Sequence, residues 1–94
     1  MMNLQDKTVL VCGGATGIGA ATVRRLTAEG ARVGIGDLNI EGATALAEEL
    51  RGEGAHVSAW AFDQADEGSI NALVESALGE FGEIDGLFAN VADL

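Results

Sequence analysis

Proline and tyrosine are absent from this 94-residue chain, and lysine, cysteine and histidine occur once each. A lone Cys12 cannot close an internal disulfide, and no Cys/His cluster has metal-ligand spacing. Cations are scarce: five Lys and Arg stand against fifteen Asp and Glu, a formal net charge of −10. Such a chain has no basic face to neutralise a phosphate backbone, which excludes nucleic acid and anionic membrane surfaces as partners. Its apolar runs are a few residues long, far short of the roughly 20 needed to cross a bilayer. No charged start with an apolar signal core precedes Val9, so the expected location is cytoplasmic. What is present is 48% hydrophobic residues, enough for one core and too many for a disordered chain. Fourteen glycines without a proline suggest tight backbone turns more than loose linkers.

Four short apolar runs alternate with three helical patterns. Lys7–Cys12 stops at Gly13-Gly14 and suits a strand buried on both faces. From Gly17 to about Glu29, Ile18, Ala21, Thr22 and Leu26 recur at helical spacing, and Gly30 supplies a left-handed stop. Arg32–Asp37 reads as a second strand, weakened by its glycines. Asn39 is then the N-cap of a helix with the stripe Ile40, Ala43, Leu46, Ala47 and Leu50. His56–Phe62 is a third strand, and Asp66 caps a helix with the stripe Ile70, Leu73, Val74, Ala77 and Phe81, closed by Gly82. Ile84–Asn90 is a fourth strand. The order is βαβαβαβ, an α/β fold, and each crossover is long enough to hold a helix, so parallel strands with right-handed crossovers are expected.

Gly13-Gly-Ala-Thr-Gly17-Ile-Gly19 lies between the first strand and the first helix. A loop of small residues there lets backbone N–H groups and the positive helix end meet a phosphate. There is no Gly-Lys-Ser/Thr, which excludes the usual P-loop, and the spacing is G-x-x-x-G-x-G instead of G-x-G-x-x-G. The alternative is a tight turn that only lets strand and helix pack closely. Asp37 ends the second strand 18 residues beyond Gly19, near the roughly 20-residue offset at which an acidic residue takes ribose hydroxyls. A strand-terminal Asp can also simply cap a turn. A receiver-like flavodoxin fold would want paired carboxylates where Gly13-Gly14 stand.

These residues together resemble the amino-terminal half of the short-chain dehydrogenase/reductase family. Its Thr-Gly-x-x-x-Gly-x-Gly turn is similar to Cys12–Gly19, its acidic end of the second strand to Asp37, its Asp after the third strand to Asp63, and its Asn-Asn-Ala-Gly to Ala89-Asn90-Val91-Ala92. The resemblance implies a Rossmann-type, doubly wound parallel sheet truncated to strand order 3-2-1-4, forming the adenosine half of a dinucleotide site over residues 1–94. It implies that Gly13, Thr16, Gly17, Ile18 and Gly19 form the pyrophosphate turn, with the Ile18 amide facing the phosphates. Asp37 would bind the ribose next to Leu38, Asp63 would meet the adenine amino group with Gln64 beside it, and Asn90 would lie near the cofactor. Read without the family, Asp63 is a helix-start neighbour of Asp66. Cys12 replaces the family's Thr and is expected to be a small buried residue.

The family's catalytic Ser, Tyr and Lys have no counterpart here, since there is no Tyr, the one Lys is Lys7, and Ser58, Ser69 and Ser76 fall on the third strand or third helix. No residue takes a catalytic role, and the 94 residues alone are expected to be inactive. His56 reads as an ordinary edge histidine, and Trp60 and Phe62 as packing. The expected parent is an NAD-dependent alcohol/ketone oxidoreductase, with NAD preferred over NADP and this chain a truncated product or a surviving portion. The other reading is a stand-alone, non-catalytic nucleotide-binding or interaction module. An open fourth-strand edge leads to an expected homo-oligomer.

Overall fold

The computed structural model describes residues 4–13, 15 and 17–89. The strands are β1 (Thr8–Cys12), β2 (Arg32–Asp37), β3 (Val57–Ala61) and β4 (Gly86–Ala89). Between them run α1 (Gly17–Ala28), α2 (Ile40–Gly52) and α3 (Glu67–Phe81). All strand pairs are parallel, in the order β3-β2-β1-β4. This is the expected doubly wound α/β architecture of Rossmann type.

Side chains alternate across a strand, and the two faces of this sheet are packed differently. Val11, Val33, Ile35 and Val57 meet Val23 of α1 and Ala43, Leu46, Ala47 and Leu50 of α2 in one buried cluster. Leu10 and Cys12 face the other way, against Leu73 and Ala77 of α3, with Trp60, Phe62 and Phe81 around them. Trp60 and Phe81 meet edge to face, their ring centroids 6.3 Å apart. Gly34 and Gly36 are β2's contribution to this second face. A Cβ on Gly34 would stand 2.7 Å from Leu10 and 2.8 Å from the Trp60 ring, and one on Gly36 2.7 Å from a Leu73 methyl. The glycines that weaken β2 as a strand therefore make room for large neighbours from β1, β3 and α3. Cys12 is buried as expected, and burial raises its thiol pKa, which disfavours the reactive thiolate.

The helix ends follow the sequence signals. Asn39 Oδ1 accepts from the Gly42 N–H, Asp66 Oδ1 accepts from the Gly68 N–H, and Gly82 closes α3 at φ 87°. The stripe of α2 is buried except at its first member, Ile40. The stripe expected on α1 is out of phase. Ile18 is 69% exposed and Ala21 is exposed, whereas Gly19 and Val23 are buried, with Ala20 and Leu26 packed beside them. Glycine carries no apolar side chain, so hydropathy spacing passes over the buried Gly19 and settles on Ile18 instead.

Asp85 ties the entry of β4 to β1, a role its sequence position did not reveal. Its carboxylate accepts from the Thr8 N–H at 2.8 Å, and its own N–H donates to the Thr8 carbonyl at 2.7 Å. Thr8 is fully buried, so Asp85→Ala leaves an N–H without its acceptor, at a cost of about 1–3 kcal/mol. Urea denaturation checks this, and Asp85→Asn, which keeps a carbonyl acceptor, should recover part of the loss.

Candidate functional site

The carboxyl ends of β1, β2 and β3 open at one edge of the sheet, where parallel α/β folds place their ligand crevices. Gly13, Asp37, Leu38, Asp63 and Gln64 line a single cleft of ≈ 270 Å³ there, together with Phe62 and Ala65. Five of the sequence-derived candidates, from three separate loops, therefore share one concavity. Gly17, Ile18 and Gly19 form the first turn of α1 and do not line that cleft. Thr16 and Asn90 lie outside the described residues.

Gly13 and Gly17 both have positive φ, 83° and 59°, which is how the chain leaves β1 and enters α1 within a few residues. The Gly13 N–H donates to the Gly36 carbonyl at 2.6 Å, which continues the β1–β2 ladder into the turn. At the start of α1 the first N–H groups have no acceptor within the helix and carry the positive end of its dipole. The bulky side chain in this turn, Ile18, points into solvent at 69% exposure.

Asp37 does part of what the turn-capping alternative requires. Its Oδ2 accepts from the Ala15 N–H and its Oδ1 from the Asn39 N–H, both at 2.8 Å. The carboxylate thus joins the glycine turn to the loop before α2. Each carboxylate oxygen has a second acceptor position, so these contacts leave Asp37 able to accept from a ligand hydroxyl. Leu38 follows it at 75% exposure, a large apolar side chain on the lip of the cleft.

Asp63 is the second residue after β3, and its Oδ1 accepts from the Ala65 N–H at 2.9 Å. The cap of α3 is Asp66, so Asp63 stands before the helix without capping it. The Phe62 N–H donates to the Asp37 carbonyl at 3.1 Å, which fixes the two acidic loops relative to one another. Ser69, placed by the sequence only on the third helix, accepts from the Asp63 N–H at 2.9 Å. The signal for it was its place three residues beyond the cap, where a short polar side chain can reach back toward the chain entering the helix.

Among the described residues no cation lines the cleft, and the charged groups that do are the carboxylates of Asp37 and Asp63. Arg24 pairs with Glu49, Arg25 with Glu29 and Arg32 with Glu83, while Arg51 Nε donates to the Val57 carbonyl. His56 is exposed and belongs to a second cavity, ≈ 570 Å³, next to Arg32 and Arg51 at the other ends of the strands. Among the described residues no group of His, Cys, Asp and Glu could hold a metal ion, and no helix is long and apolar enough to cross a membrane.

Residues 7–93 match the model of the family described as short chain dehydrogenase. D-threitol dehydrogenase of Mycolicibacterium smegmatis is 47% identical over 83 residues, covering 87% of this chain and 32% of that protein. The 2,5-dichloro-2,5-cyclohexadiene-1,4-diol dehydrogenase of Sphingobium indicum is 41% identical over 92 residues, 98% of this chain and 36% of the relative. Among solved structures, a hydroxysteroid dehydrogenase from Escherichia coli superposes with a TM-score of 0.93 at 26% identity, over 97% of this chain and 39% of that one. The chain thus spans roughly a third of the length of the curated relatives it matches. With the glycine turn, the acidic strand ends and the 3-2-1-4 sheet all in place, the chain belongs to the short chain dehydrogenase family.

Proposed function

We propose that this chain forms the adenosine-binding part of a nicotinamide dinucleotide site, selective for NAD, in an oxidoreductase that moves hydride between an alcohol and a ketone. The observation that carries the reading is the cleft that Gly13, Asp37, Leu38, Asp63 and Gln64 share beside the start of α1. The donor set fits the group: open N–H groups suit a pyrophosphate, and carboxylates with spare acceptor positions suit ribose hydroxyls and a base amino group. Bound NAD would supply the hydride-accepting ring. The N–H groups of the Gly17, Ile18 and Gly19 turn would hold the pyrophosphate, with Gly13 and Thr16 shaping the approach. Asp37 would accept from the ribose hydroxyls, Leu38 would shield that sugar from water, and Asp63 with Gln64 would engage the adenine edge. Asn90 is proposed to stand near the cofactor past the end of β4. Both relatives described above are named as dehydrogenases, which supports the reaction class.

Calorimetric titration is the direct test. NAD and ADP-ribose should both give saturable binding, and Asp63→Ala should weaken each by about tenfold, the worth of one hydrogen bond to a charged group reduced by exposure. Absence of saturable heat with either ligand at millimolar concentration would remove the reading. The residues present bind and orient but offer no acid or base for the chemistry, since Lys7 adjoins the opposite end of β1 from the glycine turn. The chain is therefore expected to show no NAD-linked turnover across a panel of secondary alcohols, lacking general acid–base help worth about 10²–10⁴ in rate.

A second copy of the chain is the partner we propose for β4. This strand is at one end of the sheet order, and its Leu87 and Phe88 are 57% and 37% exposed. An edge with open N–H and C=O groups and apolar side chains favours pairing with another edge. Sedimentation velocity at micromolar concentration should find dimers or larger species, and Phe88→Lys should shift them toward monomer. A monomeric wild-type chain would contradict the proposal.

A further inference from the structure

We infer that Ser69 is a positioning residue for Asp63 and thereby sets how strongly the cleft distinguishes adenine from other purines. The inference rests on the dinucleotide reading above. Successive N–H groups of an extended chain point to opposite sides. The Phe62 N–H donates inward to the Asp37 carbonyl, so the Asp63 N–H faces the outer side of β3, which is at the end of the sheet and has no further strand to pair with. Ser69 Oγ, from the first turn of α3, accepts that N–H at 2.9 Å. The remainder of the loop closes on itself: Asp63 Oδ1 accepts from the Ala65 N–H, and the Asp63 carbonyl accepts from the Asp66 N–H at 3.0 Å. These contacts shape the loop and reach the cap residue Asp66, but neither of them joins Asp63 to the helix itself. The Ser69 hydroxyl makes that attachment, and Ser69 does not itself line the cleft.

A carboxylate held in this way is useful to a ligand that presents an amino group, because the acceptor is in place before binding and little freedom is lost on contact. Adenine carries such a group, whereas hypoxanthine carries a carbonyl at the same position, which would face the Asp63 carboxylate oxygen to oxygen. The ratio of affinities for NAD and nicotinamide hypoxanthine dinucleotide therefore reports the placement of Asp63. A clip that served only the helix would change stability and overall affinity, not this ratio.

The test uses the full chain, titrated calorimetrically with both dinucleotides as wild type, Ser69→Ala, Ser69→Thr and Ser69→Val. Thr and Val have nearly the same shape and differ in the hydroxyl, so this pair holds the comparison if Ser69→Ala folds poorly. Wild type is expected to favour NAD on the order of tenfold. Ser69→Thr should keep that preference, while Ser69→Ala and Ser69→Val should lose most of it, and amide hydrogen exchange at Asp63 should quicken in the two variants without the hydroxyl. Equal preference in Ser69→Thr and Ser69→Val, or a parallel loss of affinity for both dinucleotides at constant ratio, overturns the inference and leaves the dinucleotide reading standing. A wild-type chain that binds both equally also overturns it. A wild-type chain that binds neither overturns the dinucleotide reading itself, and the inference with it.

Discussion

NAD is expected to bind this chain about 5-fold to 10³-fold more tightly than NADP, with Asp37→Ala removing the difference. The range follows from charge: a 2′-phosphate placed within a few ångströms of the Asp37 carboxylate costs about 1–4 kcal/mol at effective dielectric constants between water and a protein surface, and each 1.4 kcal/mol is a factor of ten. Among the described residues nothing in the cleft offsets that repulsion, because those that line it include two carboxylates and no cation. The arginines are engaged elsewhere, the Arg24 guanidinium with Glu49 and Arg32 with Glu83. Asp37 also holds the Ala15 and Asn39 N–H groups, so its removal loosens the glycine turn and weakens both cofactors together. The ratio of the two affinities isolates the charge from this shared loss. Asp37→Asn sharpens the separation, since the amide keeps one acceptor oxygen but no charge and should narrow the ratio while retaining more of the absolute affinity. Competitive titration with both dinucleotides decides the matter; an unchanged ratio in Asp37→Ala would show that Asp37 serves the turn alone.

The largest stability effect is expected where α3 meets β2. Leu73 is 1% exposed and fills the space above Gly36, where an added Cβ would stand 2.7 Å from one of its methyls and 3.1 Å from Phe62 Cβ. Leu73→Ala should cost about 2–5 kcal/mol, the lost transfer energy plus the cavity left behind. Gly36→Ala should cost about 1–3 kcal/mol by forcing Leu73 from its place in a packed interior. Against a total stability of roughly 5–15 kcal/mol, either change alone removes a sizeable part. The double variant should lose less than the sum of the two by more than about 0.5 kcal/mol, because the new methyl occupies part of the space Leu73 vacates. Denaturant unfolding of the four chains measures the coupling. Strict additivity would mean that Leu73 and Gly36 do not share this space.

The alternation of apolar runs with helical spacing was enough to place every strand and helix in order, because local backbone preference and burial agree in β1, α2 and α3. The glycine turn and Asp37 were legible for a similar reason: a backbone that must turn sharply after a strand, and an acid at the end of the next one, are both constraints of local chain geometry. Spacing failed for α1, where the buried positions are Gly19, which has no apolar side chain to count, and Val23. It was also silent on why β2 tolerates Gly34 and Gly36, since the reason lies in Leu10, Trp60 and Leu73 on three other elements.

The sequence by itself determined the fold class, the caps at Asn39 and Asp66, and the chemical types available for a dinucleotide, since each depends on residues within about one turn or one strand of one another. Only the tertiary structure decided that Gly13, Asp37, Leu38, Asp63 and Gln64 line one cleft, that Asp37 also ties down Ala15, and that Ser69 and Asp85 hold neighbouring backbones in place. Those relations come from the parallel register, which brings the ends of β1, β2 and β3 side by side although they are tens of residues apart in the chain, and a hydrogen bond requires partners within about 3 Å in space whatever their separation in sequence.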